Sequence, residues 1–127
     1  MPQAAPLDRR TQVLKAVTLV AAAATAVAVG AFLWAAGHHP AGGHAVRLDE
    51  WHHLYLGLAL AGWGAVRRRP WVLVVAALIT VDDSWQHVRQ VTGDWGYTSP
   101  LHHLFAIYLW PRPAVQWLVA RLNALVG

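Results

Sequence analysis

The sequence predicts an all-α integral membrane protein, a small bundle of three to four transmembrane helices followed by a C-terminal interfacial amphipathic helix. Three observations carry that prediction. The 127 residues are 57% hydrophobic and only 13% charged, outside the usual range of soluble domains. Three apolar stretches approach the ~20 residues a spanning helix needs, and a shorter fourth follows them. The basic residues, finally, gather at the ends of these stretches and form no continuous face.

Met1 to Leu7 carries two prolines and reads as an unstructured cytoplasmic tail. The first helix is expected over about 11–34. Its Arg9-Arg10 start resembles a secretory or twin-arginine signal only weakly, and its long apolar run marks a retained anchor. Ala22, Ala26 and Gly30 recur at four-residue spacing, a small-residue stripe that lets membrane helices approach closely. Residues 37–48, rich in glycine and histidine, form a loop outside the cytoplasm. The second helix is expected over 49–66, with Asp49 as its cap. The Arg67-Arg68-Arg69-Pro70 turn then returns the chain to the cytoplasmic side, and a third helix runs over 71–90.

Residues 91–100 contain two glycines and a proline and make the second external loop. Pro100 suits the first turn of a fourth helix over 101–110. Ten residues rise only about 15 Å, half a bilayer. The following 114–126 stretch sets Val115, Leu118, Leu122 and Leu125 on one face and Gln116 and Asn123 on another, which predicts an amphipathic helix lying at the interface. Tryptophans agree with this topology: Trp34, Trp51, Trp85 and Trp95 fall near the external ends and Trp63 and Trp71 near the internal ones. The arrangement fits the plasma membrane of a bacterium with the N-terminus in the cytoplasm.

The net charge of +4 does not make a nucleic-acid binder, because the cations sit where orientation signals sit. Nucleic acid is excluded as a partner. Membrane lipid is expected, and a homo-oligomer is compatible with the sequence. The absence of cysteine excludes disulfides, iron–sulfur clusters and thiolate-bound haem.

Chemistry concentrates in acids and histidines. Of the six acidic residues, four form the pairs Asp49-Glu50 and Asp82-Asp83, and five of the eight histidines lie in His52-His53, His87 and His102-His103. Ionisable groups inside apolar helices are rare enough to be functional candidates. Residues three or four apart share a helix face, so Glu50 with His53 and Asp83 with His87 could each grip one ion. Two Glu-x-x-His pairs supply ligands in di-iron carboxylate bundles.

Depth strengthens the case. Counted from the arginine turn at about 1.5 Å per residue, His53 and Asp83 both lie roughly 20 Å up their helices, and Glu50 and His87 both roughly 25 Å. The small residues Gly57, Ala61 and Gly64 continue the first stripe, and Thr80 and Ala76 the second, so both stripes face into the bundle. There an unpaired charge costs several kcal/mol, which a cation offsets.

Imidazole with carboxylate suits a transition metal, zinc or iron foremost, and the number of donors allows one or two ions. The ligand candidates are Glu50, His53, Asp83, His87 and His103, with His52 and His102 beside them. Asp82 and Glu50 are the carboxylates for general-base work. The plainer roles are interfacial polarity for His52, His102, His38, His39 and His44, and belt positions for Trp51 and Trp85. The expected function is a metal-dependent membrane enzyme, a hydrolase or oxidoreductase, acting on a lipid-soluble or membrane-proximal small molecule. The alternatives are ion or proton translocation through the same cluster, or a haem-binding module. Retinal is disfavoured because the only lysine, Lys15, lies at the cytoplasmic edge.

Overall fold

The computed structural model describes residues 1, 5–38, 46–48, 50, 52–107 and 112–126. Among them five helices occur and no strand: α1 (Arg9–Gly37), α2 (His53–Val66), α3 (Pro70–Val91), α4 (Pro100–Ile107) and α5 (Arg112–Val126). Helix α1 starts at Asp8, whose carboxylate accepts from the Thr11 backbone N–H at 3.0 Å and from its hydroxyl at 2.7 Å. These bonds, the hydroxyl's first, hold the Asp8 carboxyl below its ordinary range.

α3 is the central helix. Both α1 and α2 pack along it, and α4 meets it more briefly. The packing is close where the side chains vanish. A Cβ built on Gly57 would lie 2.6 Å from the Thr80 methyl and 3.1 Å from the Ala76 carbonyl, so α2 approaches α3 nearly backbone to backbone. On the α1 side, the buried Ser84 hydroxyl donates to the Ala28 carbonyl at 2.6 Å. Ala21, Ala28, Phe32 and Ala35 form the buried stripe of α1.

The turn from α2 to α3 is closed by a Schellman motif. Arg69 N–H donates to the Gly64 carbonyl at 2.9 Å and Arg68 N–H to the Ala65 carbonyl at 3.2 Å. Arg68 occupies the left-handed position with φ 52°, where glycine is usual and a side chain costs about 1–2 kcal/mol. That conformation keeps three consecutive cations at this end of the molecule.

α3 turns apolar side chains outward, Trp71, Val75, Leu78, Val81 and Trp85, while its buried face mixes Val72, Ala76, Ala77, Ile79 and Val91 with the polar Thr80, Asp83, Ser84, Gln86 and His87. Leu78 is 62% exposed and Trp71 63%. α1 likewise exposes Leu19, Val20 and Val27.

By length and composition, α1 alone among the described residues is long and apolar enough to cross a membrane, a test that a core helix or a signal sequence also passes. Only 17% of its most apolar stretch is buried, whereas the core helix of a soluble protein is mostly buried. The three- to four-span bundle expected from the sequence does not follow from length. α2 has 14 residues and rises about 21 Å, short of a ~30 Å hydrocarbon core.

α2 begins at His53 and not at residue 49. His52 is extended, with φ −125° and ψ 134°, and makes no side-chain capping bond. Asp83 of α3 caps the helix instead, its Oδ2 accepting from the Leu54 N–H at 3.3 Å. A carboxylate arriving from another helix serves the first turn as well as a local one would. The proposed cap Asp49, the belt residue Trp51, and His39 and His44 lie outside the described residues, as do 108–111, where the fourth helix was expected to end. α4 opens with Pro100 behind Ser99, whose hydroxyl accepts from the His102 N–H at 3.2 Å. α5 exposes Trp117, Leu118, Leu122 and Leu125.

The close approach of α2 to α3 yields a paired test. Gly57→Ala forces the helices apart and should destabilise by about 1–3 kcal/mol. Gly62→Ala, with nothing within 4 Å of the added methyl, should be neutral or stabilising by up to about 1 kcal/mol. Thermal unfolding in detergent separates the two, and equal effects would contradict this packing.

Candidate metal centre

Asp83 and His87 are one turn apart on the buried face of α3, and the chain just before α2 brings two more histidines against them. His53 opens α2 and donates from both ring nitrogens, from Nε2 to Asp82 Oδ2 at 2.8 Å and from Nδ1 to Asp83 Oδ1 at 2.9 Å. A histidine donating twice is an imidazolium. It therefore stands between two carboxylates as their common counter-ion and is 3% exposed. Asp82 also accepts from the Ser99 hydroxyl. Both ring nitrogens being occupied, His53 orients Asp83 and offers no lone pair to a metal.

His52 points inward, 5% exposed. Its Nε2 carries a hydrogen and donates to the Arg47 carbonyl at 2.6 Å. Burial, the largest influence, pushes the His52 imidazole below its ordinary range and favours the neutral form. A longer chain of bonds sets His87. The Gln90 amide N–H donates to the Tyr97 carbonyl at 2.9 Å, which turns the Gln90 carbonyl oxygen toward His87 Nδ1 at 3.0 Å. His87 Nδ1 is thus the donor to Gln90.

The remaining ring nitrogens, His52 Nδ1 and His87 Nε2, lie 2.9 Å apart, at hydrogen-bond distance, so either a proton shared between them or a metal ion beside them would satisfy the pair. The Asp83 carboxylate stands beside them, its Oδ1 3.6 Å from His87 Nε2 and its Oδ2 3.8 Å from His52 Nδ1. Donor atoms around a tetrahedral ion with bonds of about 2.0–2.2 Å lie roughly 3.3–3.6 Å apart, and the separations here fall on both sides of that range. His52, Asp83 and His87 form a buried group that could hold a metal ion. Each imidazole donates its other N–H to an oxygen, the arrangement that orients metal-ligating histidines.

Phe32 of α1 closes the apolar side, its ring edge-on to His52 at 4.8 Å and to His87 at 5.5 Å between centroids. A cavity of about 240 Å³, lined by Arg47, Glu50, His52, His87, Gln90 and Trp95 among others, reaches both histidines.

Of the residues proposed from sequence, Asp83, His87 and His52 meet in one group, with His53 and Asp82 directly behind it. Glu50 stands at the cavity, exposed and 3.9 Å from the Arg47 guanidinium. It precedes α2, so it does not share a helical face with His53 as a Glu-x-x-His pair would. His102 is half-buried beside Gln86, and His103 is exposed and bonded to the Thr98 hydroxyl at 3.0 Å. Sequence reading passed over Gln86, Gln90 and Phe32. Gln86 and Gln90 stand three and seven residues after Asp83, the spacing of one helix face, and that is the signal that would have found them. No known protein family, curated protein or solved structure matches the chain.

The double donation of His53 has a direct consequence. His53→Ala leaves two carboxylates without their cation and should cost about 3–5 kcal/mol of stability. His103→Ala, on an exposed ring, should change it by no more than about 0.5 kcal/mol. Denaturation in detergent measures both, and a mild His53→Ala phenotype would refute the counter-ion role.

Proposed function

We propose that the chain is a small membrane metalloprotein whose His52, Asp83 and His87 bind one transition-metal ion, zinc or iron, at one end of a helical bundle. The observation that carries this reading is the convergence of two buried imidazoles, each with its other ring nitrogen bonded to an oxygen, on a buried carboxylate. Three protein ligands and a side open to a cavity are the features of a catalytic site, since structural sites are closed by four. A metal there supplies a Lewis acid and lowers the pKa of bound water. The chain's own residues would hold the ion, exclude water on the Phe32 side and admit a small molecule past Glu50, the carboxylate placed to take up a proton. Such an enzyme would act on a membrane-proximal substrate.

The membrane setting is supported by the exposed apolar faces of α3 and α1. Lipid would cover Leu78, Trp71 and Leu19, which water would not favour. The three arginines of the α2–α3 turn would lie in the cytoplasm and the centre on the external side. The haem alternative fares worse, because nitrogens 2.9 Å apart leave no room for a macrocycle between them. Proton translocation keeps one supporting observation. A proton shared by His52 and His87 would also satisfy the facing ring nitrogens, and Ser99, Asp82, His53 and Asp83 form a bonded chain beside them. The α2–α3 seam below, with Gly57, Ala76, Gly64 and Val72 buried, offers that proton no path.

Two measurements test these readings. Because the chain has no cysteine, Leu78→Cys and Gly93→Cys can be labelled singly with a membrane-impermeant maleimide. Gly93→Cys should react and Leu78→Cys should not, whereas fast labelling of both in vesicles would rule out the bundle in lipid. Metal content of protein purified without chelator should approach one ion per chain, and His52→Ala, Asp83→Asn and His87→Ala should each weaken zinc binding more than tenfold. Binding indifferent to all three, or proton flux in liposomes without any bound metal, would displace the metal reading.

A further inference from the structure

Positive charge gathers at the end of the molecule remote from the metal centre. The Ser84 hydroxyl reaches the Ala28 carbonyl and His87 stands against Phe32, so α1 and α3 run side by side in the same direction. Counted back along both helices at equal rise, Pro70 is level with Leu14. The start of α1 and the α2–α3 turn therefore share one end. Arg9, Arg10 and Lys15 stand there with Arg67, Arg68 and Arg69, six of the ten lysines and arginines in the chain. All six are exposed, and among the described residues none forms an ion pair. Of the described acids only Asp8 lies at this end, and no acid stands in the first turn of α3.

The surroundings say what such a charge would meet. Trp63, Val66 and Trp71 are exposed on either side of the arginine turn. Indole rings settle at the depth of lipid headgroups, so a bilayer around the bundle sets the neighbouring guanidinium groups against phosphates, which their planar donor forks match. Arg68 adds an independent sign. Its φ of 52° lies in the left-handed region that glycine enters freely and a side chain enters at a cost. The turn is closed by backbone alone, from the Arg68 and Arg69 N–H groups to the Ala65 and Gly64 carbonyls. The cation at 68 contributes nothing to that closure.

Resting on the membrane setting proposed above, we infer that this end of the bundle is a binding surface for anionic phospholipid. Arg67, Arg68 and Arg69 engage the phosphate, the cations of α1 add to the attraction, and Trp63 and Trp71 fix the headgroup depth.

The experiment uses the full chain in phosphatidylcholine bilayers carrying a trace of spin-labelled phosphatidylglycerol or spin-labelled phosphatidylcholine. The motionally restricted fraction of each label gives the relative association. Phosphatidylglycerol should associate at least about threefold more strongly at low salt, and the preference should fall toward unity in about 0.5 M sodium chloride. The double variant Arg67→Gln with Arg69→Gln should reduce the preference about twofold or more. Arg68→Gly should also reduce it while leaving thermal unfolding unchanged or raised, because the left-handed strain is relieved. Arg89→Gln, at the opposite end of α3, should leave the preference as it is. Equal association of the two lipids, in bilayers that shield Leu78→Cys from maleimide, overturns the inference and leaves the membrane setting standing. A preference that survives both arginine variants overturns the assignment to this turn. Loss of the preference to millimolar inorganic phosphate at constant ionic strength overturns the lipid in favour of a soluble anion, and fast labelling of Leu78→Cys in the same bilayers overturns both readings.

Discussion

Asp83 sits between two helices with 1% of its surface exposed, and a carboxylate removed from water must be solvated by the protein around it. The Leu54 N–H, the His53 ring and the edge of His87 supply that solvation. Much else is arranged to deliver them. α2 must begin at residue 53 so that its first amides point at Asp83, and the chain before it must stay extended so that His52 can turn inward. Gly57 lets the two helices come near enough for these contacts, since a methyl at that position would already collide with Thr80. Position of the acid, start of the helix and closeness of the packing are one constraint expressed three times.

Around that acid the polar groups form a network in which the direction of each bond is set by its neighbour. Backbone carbonyls at Arg47 and Tyr97 can only accept, and that single fact propagates through Gln90 to fix the tautomers of both imidazoles. The result is a pair of ring nitrogens, His52 Nδ1 and His87 Nε2, brought to 2.9 Å beside Asp83, a group that could hold a metal ion. The same logic separates the two kinds of histidine here. His53 has both nitrogens on carboxylates and acts as their counter-ion, while His52 and His87 each turn one nitrogen to an oxygen and the other toward the group that could hold an ion.

The polar interior has a counterpart in the apolar exterior. α3 exposes Trp71, Val75, Leu78, Val81 and Trp85 and buries Thr80, Asp83, Ser84, Gln86 and His87. In water this costs stability on both faces. In lipid both faces are in the right surroundings, because no competing solvent can satisfy the inner groups and the outer ones need none. The left-handed Arg68 belongs to the same economy, holding three cations at the end of the bundle remote from the acids at a turn where glycine would be easier.

Much of this was legible in the chain alone. Composition and the length of the apolar runs predicted helices, the arginine turn separated α2 from α3, and counting residues from it set His53 level with Asp83, where the structure places a bond of 2.9 Å. Those features are periodic or local, and rise per residue converts them to positions. Which histidine does what was not legible. Glu50 and His53 have helical spacing, yet Glu50 falls outside α2 because the helix takes its cap from α3, a partner 29 residues away. His52 read as interfacial polarity and is a ligand candidate because an extended backbone turns it toward His87. Residue type and spacing determined that acids and imidazoles would meet at one depth. The tertiary structure alone decided the partner of each ring nitrogen, and it is those partners that make one ring a counter-ion and set its neighbour in a group that could hold a metal ion.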